Sequence, residues 1–200
     1  YGLFAEHSMS NINSEGRSGI IVPTGIATDS NMQAFFQKLV SEERLVSLFD
    51  FQNQNQIFKD VTGNYRFSLL TVAGEKVPVD KFEFMFMLTE IEDLRDQSRK
   101  FELTREDIRT INPNTKTCPT FRTRKDAELT LEIYQSVGAL KNIEEESDDS
   151  WDLNIKRMFN ASDDSGKFKT KNELLEDGLK QETNEFVGDD ERYLPIYESK

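Results

Sequence analysis

The chain has 200 residues, with 25 Lys and Arg against 37 Asp and Glu, a formal net charge of −12. Its hydrophobic fraction of 36% and its fifteen Phe suffice for a sizeable core, and the length fits one domain or one domain plus a smaller module. One cysteine (Cys118) and one histidine (His7) exclude an internal disulfide and a zinc site built from Cys and His, and the acidic balance argues against nonspecific nucleic-acid binding by the surface as a whole.

Residues 1–9 read as the end of a helix, with Tyr1, Leu3 and Phe4 apolar, and residues 10–17 as a polar loop. Gly19–Val22 is a continuous apolar run closed by Pro23, the pattern of a buried parallel strand. Asp29 or Ser30 is placed to cap a helix reaching about Glu42, with Met32, Phe35, Phe36, Leu39 and Val40 on one face. Leu45–Phe49 follows as a strand. This βαβ crossover is expected to set two parallel strands side by side. A Gln- and Asn-rich loop over 51–65, turning near Gly63, leads to a third strand at Phe67–Val72, expected to return antiparallel at the edge. In Phe82–Leu88, Phe82, Phe84 and Phe86 alternate with Glu83, Met85 and Met87, so the phenylalanines share one strand face; such a stripe is core.

Beyond residue 88 the pattern turns helical and irregular. Thr89–Asp96 reads as a short helix. Thr104 with Asp107, and Thr123 with Asp126, resemble capping boxes, the second opening a helix that Gly138 stops. Residues 111–121 form an extended connector and 142–150 an acidic linker. Trp151–Phe159 is a candidate strand, Lys171–Asp177 a short helix stopped at Gly178, and Glu182–Lys200 mostly irregular. The acidic run Ser162–Ser165 lacks the spacing and the terminal Glu of a calcium loop, so a turn is expected there and no metal site.

Few residues stand out for chemistry. Thr24 follows the carboxyl end of the first strand, the edge that faces the ligand crevice in open α/β sheets. It either lines a pocket there or turns the chain into the helix, and the turn is the plainer reading. Lys116, Arg122, Arg124 and Lys125 form the best basic cluster, with Lys156 and Arg157 further on. They either meet phosphates or belong to solvated faces paired with nearby acids, and solvated faces are the commoner case. Cys118 and His7 have nothing in sequence to link them as a catalytic pair. No apolar run approaches the roughly 20 residues of a membrane span and no signal peptide is read, so a cytoplasmic chain is expected.

Six stretches taken together are more specific: GIIVPTGIATD at 19–29, LVSLFDFQNQNQIFKDV at 45–61, RFSLLTV at 66–72, INPNTKTCPTFRTRKDAEL at 111–129, KRMFNASDDSGKF at 156–168 and DDERYLPIYESK at 189–200. In this order the chain resembles the adenine-N6 DNA methyltransferases of restriction-modification and phage-defence systems, chiefly the Eco57I-like and large fused type II enzymes. The resemblance implies an α/β fold: part of a Rossmann-like, S-adenosylmethionine-dependent methyltransferase sheet, followed by a mostly helical and irregular segment. Neither the family's glycine-rich cofactor motif nor its Asn-Pro-Pro-aromatic catalytic motif is present; Asn112-Pro113 is followed by Asn114.

The resemblance therefore implies the C-terminal half of a catalytic domain over 1–100, a helical connector over 101–141, and over 142–200 the start of a region leading into target recognition. S-adenosylmethionine would be bound in the parent enzyme and not by this chain alone, which would be inactive. The implied partners are double-stranded DNA and the rest of the methyltransferase domain, with no membrane. In the family a second aromatic residue, just before the last strand, contacts the flipped base. That role falls on Phe58, whose alternative is a buried loop anchor. Two other functions compete: a noncatalytic DNA-recognition or protein-interaction module, and an unrelated acidic scaffold.

Overall fold

The structure is a computed structural model and describes residues 1–139, 160, 162–189 and 191–196. It divides into two compact units, Tyr1–Asp152 and Leu153–Lys200. The expected strand at 151–159, with Lys156 and Arg157, lies outside the described residues.

The first unit is α/β. Its elements run α1 (Gly2–Ser10), β1 (Arg17–Pro23), α2 (Gly25–Thr28), α3 (Gln33–Ser41), β2 (Leu45–Gln52), β3 (Arg66–Ala73), β4 (Phe82–Leu88), β5 (Phe101–Leu103), α4 (Arg105–Ile111) and α5 (Arg124–Val137). Short 3-10 turns add Ser30–Met32, Asn53–Asn55 and Ile91–Arg95. The five strands form one mixed sheet in the order β1-β3-β2-β4-β5. β1, β2 and β4 point one way, and β3 and β5 the other.

This order corrects the expected side-by-side crossover. β1 and β2 run in the same direction, but β3 lies between them, antiparallel to both. The residue pattern suits these places. β3 is apolar on both faces, with Phe67 and Leu69 packed into one cluster and Leu70 and Val72 into the other, as a strand covered on both faces requires. β1 is covered on one face only: Val22 is buried, while Ile21 is 56% exposed. β1 is therefore not the buried parallel strand its apolar run suggests. Among the described residues it has a partner on one side only. The amide of Thr24 donates to the Arg66 carbonyl. Alternation along the antiparallel ladder then turns the backbone groups of Arg17, Gly19 and Ile21 outward, away from β3.

One face of the sheet carries the main core. Phe36 and Leu39 of α3 pack there with Leu48, Leu70 and the Phe82, Phe84 and Phe86 stripe, and Ile108, Ile111 and Ala127 bring in α4 and α5. The rings of Phe84 and Phe86 stack at 6.1 Å, and both lie within 6.1 Å of Phe101. Arg44 is a buried cation that joins this core to its rim; its Nε donates to the Ala73 carbonyl at 2.9 Å and its Nη2 to the Met9 carbonyl at 3.0 Å. The opposite face holds a smaller cluster of Phe51, Phe67, Met85 and Leu88.

The helix expected from Asp29 or Ser30 to Glu42 is interrupted. α2 starts directly after Thr24, Asp29 is extended (ψ 140°), and α3 begins only at Gln33, with no side-chain cap at Asp29. A Cβ on Gly25 would meet the exposed Asp29 carboxylate, which folds back over the start of α2 and would have to swing aside. Both capping boxes form: Thr104 with Asp107 opens α4, and Thr123 with Asp126 opens α5. Gly138 ends α5 at φ 69°, a region open to glycine. The stretch expected as a helical connector from residue 101 begins with β5, the fifth strand of the sheet. Phe101-Glu102-Leu103 alternates correctly, but three residues are too short to register as a strand in sequence.

The second unit contains α6 (Lys171–Glu176), opened by a Thr170–Glu173 capping box, and then β6 (Lys180–Glu182), β7 (Glu185–Val187) and β8 (Arg192–Tyr193). These strands form an antiparallel meander in the order β6-β7-β8. The expected helix is present, while the expected irregular stretch after Glu182 is partly strand. Strands of two or three residues carry too little alternation to read.

Candidate functional site

The carboxyl ends of β1, β2 and β4 share one edge of the sheet with the start of β3, and a buried polar cluster sits there. Asp50, with no exposed surface, projects from β2 onto the helix-covered face. Its Oδ1 accepts the Thr24 hydroxyl at 2.5 Å and Arg66 Nε at 3.3 Å; its Oδ2 accepts Arg66 Nη2 at 2.5 Å and the Met87 amide at 3.1 Å. Ser68, directly opposite Asp50 on β3, shares a hydrogen bond with Thr24 at 3.0 Å. A buried carboxylate is tolerable only when its lone pairs are filled in this way. The cluster thus joins four neighbouring strands at their tips.

β4 bends to reach it. Phe49 pairs with Met85 and Phe51 with Leu88, so two β4 residues, Phe86 and Met87, stand opposite Asp50 alone. Met87 takes a φ of 59°, rare for a side chain of its shape. Its amide is held by Asp50, and its carbonyl accepts Arg99 Nη2 at 2.7 Å. Arg99 is itself anchored on Asp93 at 3.2 Å. Asp93 accepts the amides of Thr89 and Glu90, and those bonds, the Thr89 amide first, hold its carboxyl below the usual carboxylate range against the pull of burial. The bulge is therefore fixed from both ends, and it leaves the Met87 side chain exposed at the strand tips.

The loop between β2 and β3 covers the same end on the other face. It is organised by Asn53, which is fully buried. Asn53 Oδ1 accepts the Phe58 amide at 2.9 Å, while Nδ2 donates to the carbonyls of Phe58 at 2.9 Å and Val61 at 2.7 Å. Phe58 stands edge-on to Phe67 at 5.0 Å, and Phe67 stacks on Phe51 at 5.4 Å. Phe58 remains 41% exposed, with Val61 and Tyr65 of the same loop also exposed. The tips thus present an apolar rim seated on a ring stack and held by a buried amide.

Of the residues singled out in sequence, Phe58 and Thr24 come to this edge, on opposite faces of the sheet. Thr24 is buried, and its hydroxyl is engaged by Asp50 and Ser68. The basic cluster is divided. Arg122, Arg124 and Lys125 are exposed around the start of α5. There Arg124 donates to the Lys100 carbonyl and lines a cleft of about 440 Å³ together with Lys81 and the acids Glu102, Asp107 and Glu128. Lys116 lies instead between α3 and α4. Asp50, Arg66, Asn53 and Met87 were not singled out. The available signal was one acid inside the apolar run Leu45–Phe51, where only a partnered carboxylate can stand.

Cys118 is buried; its amide donates to the Ala27 carbonyl, and burial, with a smaller contribution from the Asp50 carboxylate, pushes its thiol well up. Such a thiol is a poor nucleophile. Among the described residues, no group of three or more His, Cys, Asp or Glu is placed to hold a metal ion, and no helix is long and apolar enough to cross a membrane.

No family model matches the chain, and no curated protein sequence does. Among solved structures it is similar to a chain from work on complex assembly and conformational transition of the type I restriction-modification system, with a TM-score of 0.44 at 11% identity. The match covers 68% of this chain and 37% of that one, so this chain spans well under half of its neighbour's length.

Proposed function

We propose that this chain is the trailing portion of an adenine-N6 DNA methyltransferase domain, supplying a contact to the extruded base while the methyl donor is held by another part of the parent enzyme. The supporting observation is the placement of Phe58: half-open, edge-on to a ring stack, at the carboxyl edge of β1, β2 and β4. That edge is where open α/β sheets take their ligands. A base swung out of a duplex needs a flat apolar surface to lie against, at a position fixed enough to orient its amine. The Asn53 bonds fix the backbone at Phe58, and Phe67 fixes its ring.

In this reading the Asp50 cluster positions rather than reacts. It locks Thr24, Ser68, Arg66 and the Met87 bulge, so the tips keep one geometry while a base enters and leaves. The outward backbone groups of β1 would take a further strand from the rest of the domain, covering Ile21. S-adenosylmethionine belongs to that missing part, and the chain alone is silent.

Two measurements test the proposal. Calorimetric titration of the chain with S-adenosylmethionine should show no binding; micromolar affinity would overturn the division of labour. Stacking on one aromatic ring is worth about 1–3 kcal/mol per base, so a duplex with one unpaired adenine should bind roughly 10-fold tighter than its fully paired counterpart. Phe58→Ala should abolish that preference, and an unchanged ratio would remove Phe58 from the site. The second reading, a noncatalytic interaction module, draws on the same open β1 edge. It predicts a preference for neither duplex.

A further inference from the structure

We infer that the groove between α3 and α4 is a binding site for the phosphodiester backbone of duplex DNA. Lys38 comes from α3, Arg105 and Arg109 from α4, and Lys116 from the connector that follows, and all line a groove of about 360 Å³. Val40 and Ile108 contribute apolar surface, and no Asp or Glu lines it among the described residues. In a chain of net charge −12, four cations lining one groove run against the overall balance. The cleft beside β5 shows the ordinary pattern: Lys81 and Arg124 there are interspersed with Glu102, Asp107 and Glu128.

Local structure brings the four together. Arg105 and Arg109 are four residues apart on α4 and share a face. Arg105 Nη1 donates to the Ser41 carbonyl at 3.4 Å, and Gln37 Nε2 to the Thr115 carbonyl at 3.3 Å, so α3 is tied both to α4 and to the connector. The backbone at Lys116 turns into the left-handed region, φ 49°, as it enters the groove lining. Lys38 and Arg109 have little acidic pairing among the described residues. Lys38 meets Glu6 at 3.7 Å with both side chains about half exposed, a pair worth little in water. Arg109 is exposed and has no acidic partner among the described residues.

The chemistry favours a line of charge over a single anion. An enclosed phosphate site would offer converging amides or a buried donor, whereas these four cations come from α3, α4 and the connector, with Lys38 and Arg109 exposed. Among the described residues no aromatic side chain lines it, so they offer no platform for unstacked bases, on which single-strand binding relies. Phosphates contacted in this way fix register without reading sequence. The inference stands apart from the methyl-transfer reading, since a result with S-adenosylmethionine leaves it untouched.

The test is fluorescence anisotropy of the full chain with a labelled 20-base-pair duplex of arbitrary sequence, from about 50 to 200 mM salt. Neutralising up to four phosphates gives a slope of log K against log salt no steeper than about −3.6. The double variant Arg105→Ala, Arg109→Ala should flatten it by about 2 and weaken binding at least roughly 10-fold near 100 mM salt. Lys81→Ala, which removes one charge from the mixed cleft as Arg109→Gln removes one from the groove, should leave the slope in place. Because Arg105 also bonds the Ser41 carbonyl, Arg109→Gln alone serves as the second variant and should flatten the slope by about 1. A slope unmoved by either arginine variant would overturn the assignment. So would loss of duplex binding to inorganic pyrophosphate at equal phosphate concentration, which would mark a small-anion site, or the absence of duplex binding by the unaltered chain at 50 mM salt.

Discussion

The two faces of the five-stranded sheet are built to different standards. On one, α3, α4 and α5 press the Phe82, Phe84 and Phe86 stripe into a continuous core. On the other, among the described residues, a smaller cluster of four buried residues lies beside a loop organised by one asparagine. The first face gives the fold its stability. The second leaves an aromatic ring half-open in a fixed place. Stability and exposure are thus separated across one layer of backbone, and the tips can present apolar surface without loosening the core.

Substitutions should reveal that separation, beginning with the largest effect. Phe84→Ala removes a ring with no exposed surface from the helix-covered face. It should cost about 3–5 kcal/mol, seen as an early midpoint in urea unfolding. A loss under about 1 kcal/mol would show that this face does not carry the fold. Asp50→Ala tests the link between the faces. It strips the Thr24 hydroxyl, the Arg66 guanidinium and the Met87 amide of their shared acceptor. About 2–3 kcal/mol is expected, because bonds to a buried charge outweigh neutral ones. The discount against a fully buried pair reflects Arg66, whose side chain is 41% exposed. Thr24→Val removes one of those bonds and should cost about 1–2 kcal/mol in the same assay.

Phe58→Ala belongs to the lightly covered face and should cost less than about 1 kcal/mol while erasing the preference for an unpaired adenine. Equal losses of stability and preference would mean that the ring is mainly a loop anchor. The smallest effect is in pH. The Asp93 carboxyl is held below its usual range, chiefly by the Thr89 amide. Its contribution is therefore complete above the ordinary carboxylate pKa and fades as pH falls through that range towards the lower folded value. The amides of Thr89 and Glu90 should report a midpoint below that of a free aspartate when followed by NMR. A midpoint at or above it would detach Asp93 from the bulge.

Much of the fold was legible because its signals are local. Thr104 with Asp107 and Thr123 with Asp126 lie three residues apart, and the Phe82–Phe86 alternation is a two-residue rhythm. The place of β3 between β1 and β2, and the parallel pairing of β4 with β2, depend on contacts between segments far apart in sequence, which no short window contains. The candidate site divides in the same way. Thr24 was singled out by its place after a strand, and Phe58 by the resemblance of its stretch to the methyltransferase family. Asp50 has partners 16, 26 and 37 residues away, so its isolation in an apolar run was visible but its company was not. The α3–α4 groove gathers Lys38, Arg105 and Arg109, which lie apart along the chain, with Lys116 of the basic cluster legible in sequence, while Arg122, Arg124 and Lys125 of that cluster sit around the start of α5.

The bulge in β4 also bears on heredity. Because an added residue reverses which way every later side chain points, the Met87 insertion sets Leu88 inward beside Phe51 and ties the direction of the remaining strand to a single count of residues. A one-codon deletion at Met87 would restore plain pairing and remove both the amide that Asp50 accepts and the carbonyl that Arg99 holds, so this margin should tolerate changes of letter far better than changes of length.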